Sequence, residues 1–367
     1  MPSMKSILCA VAVGCVASTM ALPAAPKYTY TAYEKRAYEY GQQARKLMLE
    51  RRQNPATGLP DGLTDVDILE LYGPSPLLPC SLLYPPLYSP NLTILQAEAN
   101  RPRSALTLEN LETAFYQQGF AKFQDTDFAA LGLAPAEITN LKSIGGTEAT
   151  HVTTLNAAIS GAGTAPVAPC TYNFAPALTD AKTMVATAAV LENVGVSAYL
   201  AAAPLVKAPG ILTVAGEIVT VEARHQTFVR TASRTAAIPS AFDTPLGIRA
   251  VFTLAAGFIS ACPAGSNLAI TPFPALTMTA GAAMPASPIA AGSQVAVTTT
   301  ATGGTSCAFV NGGLPGGSAF TPFTNGACTV PQNLAGVTYL HLASSTPPDN
   351  ILTDAITVAG PMVMTIT

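Results

Sequence analysis

The chain has 367 residues, enough for two domains with cores of their own, and 49% of them are apolar. Only 11% are charged and the formal net charge is −3, with no basic block, which excludes a nucleic-acid-binding surface and a polycationic partner. Tryptophan is absent, which argues against an aromatic platform for stacking sugars.

Residues 1–21 have the layout of a signal peptide. Lys5 supplies the positive charge, "ILCAVAVGCVA" the apolar stretch, and "TMA" at Thr19–Ala21 the small residues of a cleavage site. The protein is therefore expected outside the cell or in the cell wall. No later continuous apolar run approaches the ~20 residues of a membrane span, so no transmembrane segment is expected. Residues 22–62 hold the densest charge run. They predict a solvated helix or a propeptide ending at Arg36, after the dibasic pair Lys35-Arg36.

In an oxidising compartment cysteines pair. Cys9 and Cys15 leave with the signal, and the expected disulfides join Cys170 to Cys262 and Cys307 to Cys328. Cys80 is left over. Asn91 opens "NLT", the one glycosylation sequon.

A helical domain is expected over residues 63–262, interrupted by a segment at 72–104 that carries seven prolines. Each proline inside a helix costs about 3 kcal/mol, so the segment is expected outside the bundle. Apolar residues recur at i, i+3, i+4 in "LTLENLETAFYQQGFAKF", in the segment opened by Pro135, in the one capped by Asp180, and in "APGILTVAGEIVTVEARHQTFVRTAS". A shorter run follows in "PLGIRAVFTLAAGFISA". Four long helices and a short fifth predict a mainly α four-helix bundle. From Pro263 to Thr367 only Asp349 and Asp354 are charged, and short alternating runs lie between Gly/Pro turns. This pattern predicts a small β-sandwich of six or seven strands at 263–367. His341 falls in one of these strands and is expected at the surface.

The helices repeat. "LENLETAFY" at Leu108–Tyr116 matches "LENVGVSAY" at Leu191–Tyr199, and each is followed by Glu-x-x-His, at Glu148/His151 and at Glu222/His225. Residues three apart share a helix face, so each Glu-x-x-His pair can reach one point. With Glu109 and Glu192, four carboxylates and two imidazoles converge. Buried without cations they would cost several kcal/mol per ion. Two divalent metals balance the charge, the arrangement of ferritin-like di-iron or di-manganese bundles. The ligand set suits two Fe or two Mn ions alike. Glu112 has no counterpart, because Gly195 takes its place in the second half. Glu112 is therefore expected beside the ligands or at the surface. Tyr116 and Tyr199, two turns after each Glu, should point to the metals and orient carboxylates by hydrogen bonds. Glu217 and Arg224 should face away.

The stretches "ALTLENLETAFY", "HVTTL", "LENVGVSAYL", "EARH", "AFDTPL" and "ISACP" resemble the secreted fungal ferritin-like proteins known as stress-response or late-sexual-development proteins, akin to desiccation-related proteins. The resemblance runs from about residue 63 to the C-terminal "VAGP". It implies Glu148 and Glu222 as bridging ligands, with Glu109, Glu192, His151 and His225 terminal. Family members pass directly from an "LTDVDIL" start into "ALTLENLE", so residues 72–104 stand out as a translated retained intron, an extruded loop or a functional loop. Two functions follow as expectations. One is an extracellular di-metal oxidoreductase whose partner is a small oxidant, O2 or peroxide. The other is a non-catalytic protein of the cell surface or cell wall, protective under stress, that uses the bundle as scaffold.

Overall fold

The computed structural model describes residues 92–367, apart from 162, 164, 207–208, 267–269 and 280–288. The expected signal peptide, the charged segment, Cys80 and Asn91 lie outside the described residues.

Six helices are described: α1 (Leu92–Lys122), α2 (Asp125–Ala130), α3 (Pro135–Gly161), α4 (Ala181–Ala202), α5 (Pro209–Ala232) and α6 (Ile248–Ala256). Proline opens α3, where its missing N–H is no loss. Asp180 caps α4 by accepting from the Thr183 N–H at 2.7 Å, which satisfies one of the free donors of the first turn. The four long helices are those expected, with α6 as the short fifth.

Helix α1 differs from expectation at its start. It begins at Leu92, inside the segment expected to lie outside the bundle, and runs through Pro102. Six of that segment's seven prolines precede Leu92. The proline argument therefore applies to residues 72–91 and not to 92–104. A single proline forfeits one backbone bond at about 3 kcal/mol and does not end a helix whose later turns are buried.

Contacts between the long helices set their directions. Gly145 meets Tyr116 while His151 meets Glu109, so α3 runs antiparallel to α1. Tyr116 reaches Glu192 while Tyr199 reaches Glu109, so α4 is also antiparallel to α1. Helices α3 and α4 are thus parallel, joined by one long crossover, the ferritin-like connectivity. That crossover is pinned by the Cys170–Cys262 disulfide and by a small antiparallel ladder of β1 (Thr171–Tyr172) with β2 (Ile259–Ala261). Closing a loop between cysteines 92 residues apart removes about 4–5 kcal/mol of unfolded-chain entropy.

Among the described helices, α4 is long and apolar enough, by length and composition, to cross a membrane. It is instead the core helix. Met184, Val185, Ala188, Leu191 and Val194 are buried against α1, α5 and α6, alongside Phe115, Phe128 and Phe174.

Beyond the bundle come β3 (Thr277–Met278), β4 (Gln294–Thr298), β5 (Ser306–Val310), β6 (Ser318–Pro322), β7 (Ala327–Thr329), β8 (Gly336–Ala343) and β9 (Thr357–Ile366). They form two antiparallel sheets, ordered β3-β4-β7 and β6-β5-β8-β9. The Cys307–Cys328 disulfide ties β5 of one sheet to β7 of the other. Both expected disulfides are thus present, and the seven strands among the described residues make the small β domain expected.

Strand β8 is buried along its whole length. Leu340 and Leu342 fill the core between the sheets, and Val337 and Tyr339 enter the core of the helical bundle. His341 shares the face of Val337 and Tyr339 and is 2% exposed, packed edge-on against Phe273. The expectation of a surface position for His341 is corrected. Alternation in a strand signals one wet face only when the sheet has one, and this sheet is covered on both sides. Burial pushes the His341 imidazole down to about 3, so it sits there neutral.

Candidate metal centre

The periodicity that buries α1, α3, α4 and α5 also aims one polar stripe from each at the bundle axis. Glu109, Glu148, Glu192 and Glu222 are all 0–1% exposed, and His151 and His225 are buried beside them. Two groups of four side chains emerge, each with its oxygen and nitrogen atoms within 4.8 Å of one another. One is Glu109, Glu148, His151 and Glu222, and the other is Glu148, Glu192, Glu222 and His225. Glu148 and Glu222 belong to both. All six residues singled out by the repeat are therefore brought together.

Both imidazoles present Nδ1 to the carboxylates. His151 Nδ1 lies 3.2 Å from Glu109, 3.1 Å from Glu148 and 3.0 Å from Glu222. His225 Nδ1 lies 2.7 Å from Glu148 Oε1 and 3.3 Å from Glu192. Yet His225 Nδ1, Glu148 Oε1, Glu192 Oε2 and both Glu222 oxygens have no hydrogen-bond partner. The close approaches miss the hydrogen-bond direction. Buried polar atoms are almost always bonded, so five orphans at one point call for something between them. A first-row divalent ion with bonds of about 2.0–2.2 Å brings its ligand atoms within about 4.4 Å of each other, close to the spread found here. The residues present fit two such ions.

Without metal, protons must do the balancing. Burial raises Glu109 to about 8 and raises Glu192 and Glu222 as well. Burial also acts on Glu148, but the two imidazoles outweigh it and hold that carboxyl at about 2. Burial works against charge on His151 and His225 too. The surrounding carboxylates prevail and raise the imidazoles to about 12 and about 10.

The tyrosines cross between the halves. Tyr116 Oη donates to Glu192 Oε1 at 2.5 Å, and Tyr199 Oη donates to Glu109 Oε1 at 2.6 Å. Each half's tyrosine thus orients the other half's glutamate, and burial raises both phenols. Glu217 and Arg224 are exposed, as expected.

Glu112 is not at the surface. It is 3% exposed, raised well above the usual carboxylate range by burial and by its neighbours Glu222, Glu148, Glu192 and Glu109. Gly195 lies beside it and beside Glu222. A methyl group there would come 3.2 Å from Glu222 Oε2 and 3.5 Å from Glu112 Oε1. The tight contact is the one with Glu222; the distance to Glu112 is ordinary van der Waals contact. The signal was present in the i, i+3 spacing of Glu109 and Glu112. Replacing a helical glycine by alanine ordinarily stabilises by about 1 kcal/mol. Gly195→Ala is expected to gain less than this alone, and to recover the gain in a Glu222→Ala background. Urea unfolding of the metal-free single and double variants measures the coupling. An equal gain in both backgrounds would show that the carboxylates are not crowded.

With this geometry in place, one comparison bears on the helical part. Residues 99–235 match the family model of the ferritin-like domain. The match covers all six converging residues and both tyrosines. A comparison with curated proteins finds no match. The helical part is thus a ferritin-like domain with a buried Glu/His cluster able to bind metal, and it precedes a β domain that lies outside the matched residues.

Proposed function

We propose that the ferritin-like domain holds two iron or manganese ions and acts outside the cell as an oxidoreductase on O2 or peroxide. The observation that carries this is the set of five orphaned polar atoms facing one another in the bundle core. Glu109, Glu148, His151 and Glu222 would hold one ion, and Glu148, Glu192, Glu222 and His225 the other. Glu148 and Glu222 would then bridge. Ions of this kind supply Lewis acidity and electron transfer when bound. The chain's own residues keep the site dry and poised. Tyr116 and Tyr199 hold the terminal carboxylates in orientation, and the apolar walls of α1 and α4 exclude water. The two disulfides support an extracellular location, together with the signal-like residues 1–21. A fungal stress or developmental role, glycosylation at Asn91 and contact with cell-wall components belong to the same reading.

The second reading is a surface or stress-protective scaffold without catalysis. The charge-poor β domain packed on the bundle favours it. Elemental analysis of protein purified from its native secretome separates the two. Two ions per chain, with peroxide consumption lost in His151→Ala, are expected. Fewer than one ion per chain, unchanged by Glu222→Ala, would leave the scaffold reading standing.

A further inference from the structure

Among the β-domain side chains that enter the bundle core, Tyr339 of β8 touches residues next to the cluster. Asn193 Nδ2 donates to Tyr339 Oη at 2.6 Å, and Ser197 Oγ lies 2.7 Å from the same oxygen. The other end of the Asn193 amide accepts from Gln226 Nε2. Asn193 follows Glu192 on α4, and Gln226 follows His225 on α5. One amide thus bridges the two helices at the level of the cluster, with its orientation fixed from the β domain. All four side chains are buried, so each bond is made away from competing water.

The first half of the repeat lacks this bridge. Aligned through the Leu-Glu-Asn and Glu-x-x-His motifs, Asn110 matches Asn193, Ala114 matches Ser197 and Val152 matches Gln226. The asparagine is retained, but its Nδ2 is buried without a hydrogen-bond partner. The polar partners and the β-domain phenol serve one half only.

We propose that Tyr339 is a positioning residue through which the β domain sets the geometry of Glu192 and His225, so that one of the two metal positions depends on the docked β domain and the other does not. The proposal rests on the metal-centre reading. Groups that orient metal ligands typically contribute 10–100-fold in affinity.

The test is an anaerobic Co2+ titration of the full chain, followed by visible absorption and calorimetry. The wild-type chain is expected to take two equivalents. Tyr339→Phe keeps the ring and removes the oxygen. It should weaken one equivalent by about tenfold or more and shift that equivalent's visible bands, with the other unchanged. Ser197→Ala, a milder change, should move the same equivalent in the same direction by less. Asn110→Ala should move neither. A merely structural role for Tyr339 would lower the thermal midpoint and leave the Co2+ spectrum alone. Unchanged binding in Tyr339→Phe, or equal weakening of both equivalents, overturns the proposal while the metal centre stands. A wild-type chain that takes up no Co2+ overturns both.

Discussion

With two ions bound as proposed, Glu148→Ala is expected to lose both, and Glu109→Ala only one. Glu148 belongs to both groups of four, and its two oxygens face the two imidazoles, at 3.1 Å from His151 and 2.7 Å from His225. Glu109 belongs to one group only. Losing a direct ligand should exceed the 10–100-fold that follows loss of an orienting partner, so the Glu148 variant should purify with metal near zero. Its fold is the complication. Removing one member of a buried charge pair costs about 3–5 kcal/mol, and both imidazoles lose their central partner. Glu148→Gln keeps the volume and the helix while removing the charge, and should be equally metal-free. Elemental analysis beside far-ultraviolet circular dichroism reads both effects. Two ions retained in a folded Glu148→Gln chain would show that the shared position is not a ligand.

The metal-free protein should lose stability as pH rises from about 4.5, and metal should reverse this. Glu109 is raised to about 8 in the folded state, and Glu112, Glu192 and Glu222 are raised too. An acid with a raised folded pKa favours the fold below its unfolded value, 4.5, and that contribution is lost as pH climbs through the folded pKa. The imidazoles act in the same sense at higher pH. Raised to about 12 and about 10, they stabilise fully below 6.5 and less above it. Glu148, held at about 2, opposes the trend only in acid, where its contribution is lost as pH falls below 4.5. Metal ions replace these protons, so their affinity should rise with pH. Thermal unfolding from pH 5 to 8, with chelator and with added Mn2+, measures the difference. The gap between the two midpoints should widen steadily. A constant gap would mean that metal displaces no protons from this cluster.

The cluster was legible because the chain spells it twice. Two Leu-Glu-Asn helices and two Glu-x-x-His helices in alternation single out Glu109, Glu148, His151, Glu192, Glu222 and His225. The same symmetry set Glu112 apart from the ligands, beside them or at the surface, and of these two it is the buried position beside them that the structure shows. Pro102 shows a limit. Counting prolines over a segment ignores where they fall, and one proline in a long buried helix is tolerated. Tyr339 and His341 were not legible at all. Strand alternation places residues on faces, but it does not say that a second domain covers the far one. Polar bridges such as Tyr339–Asn193–Gln226 join residues far apart in sequence with no motif between them.

The crossed tyrosines have a consequence for how the molecule folds. A hairpin of α1 and α3 alone has a tyrosine with no glutamate to receive its proton and a glutamate with no tyrosine to hold it. The hairpin of α4 and α5 is in the same position. The cluster therefore lies on the seam between two pieces, and neither piece can rehearse it. Its carboxylates remain solvated until the hairpins dock, which requires contacts of long sequence separation and is correspondingly slow. Assembly of the seam should be among the last events of folding, and any ion that binds would meet a site that had not existed a moment earlier.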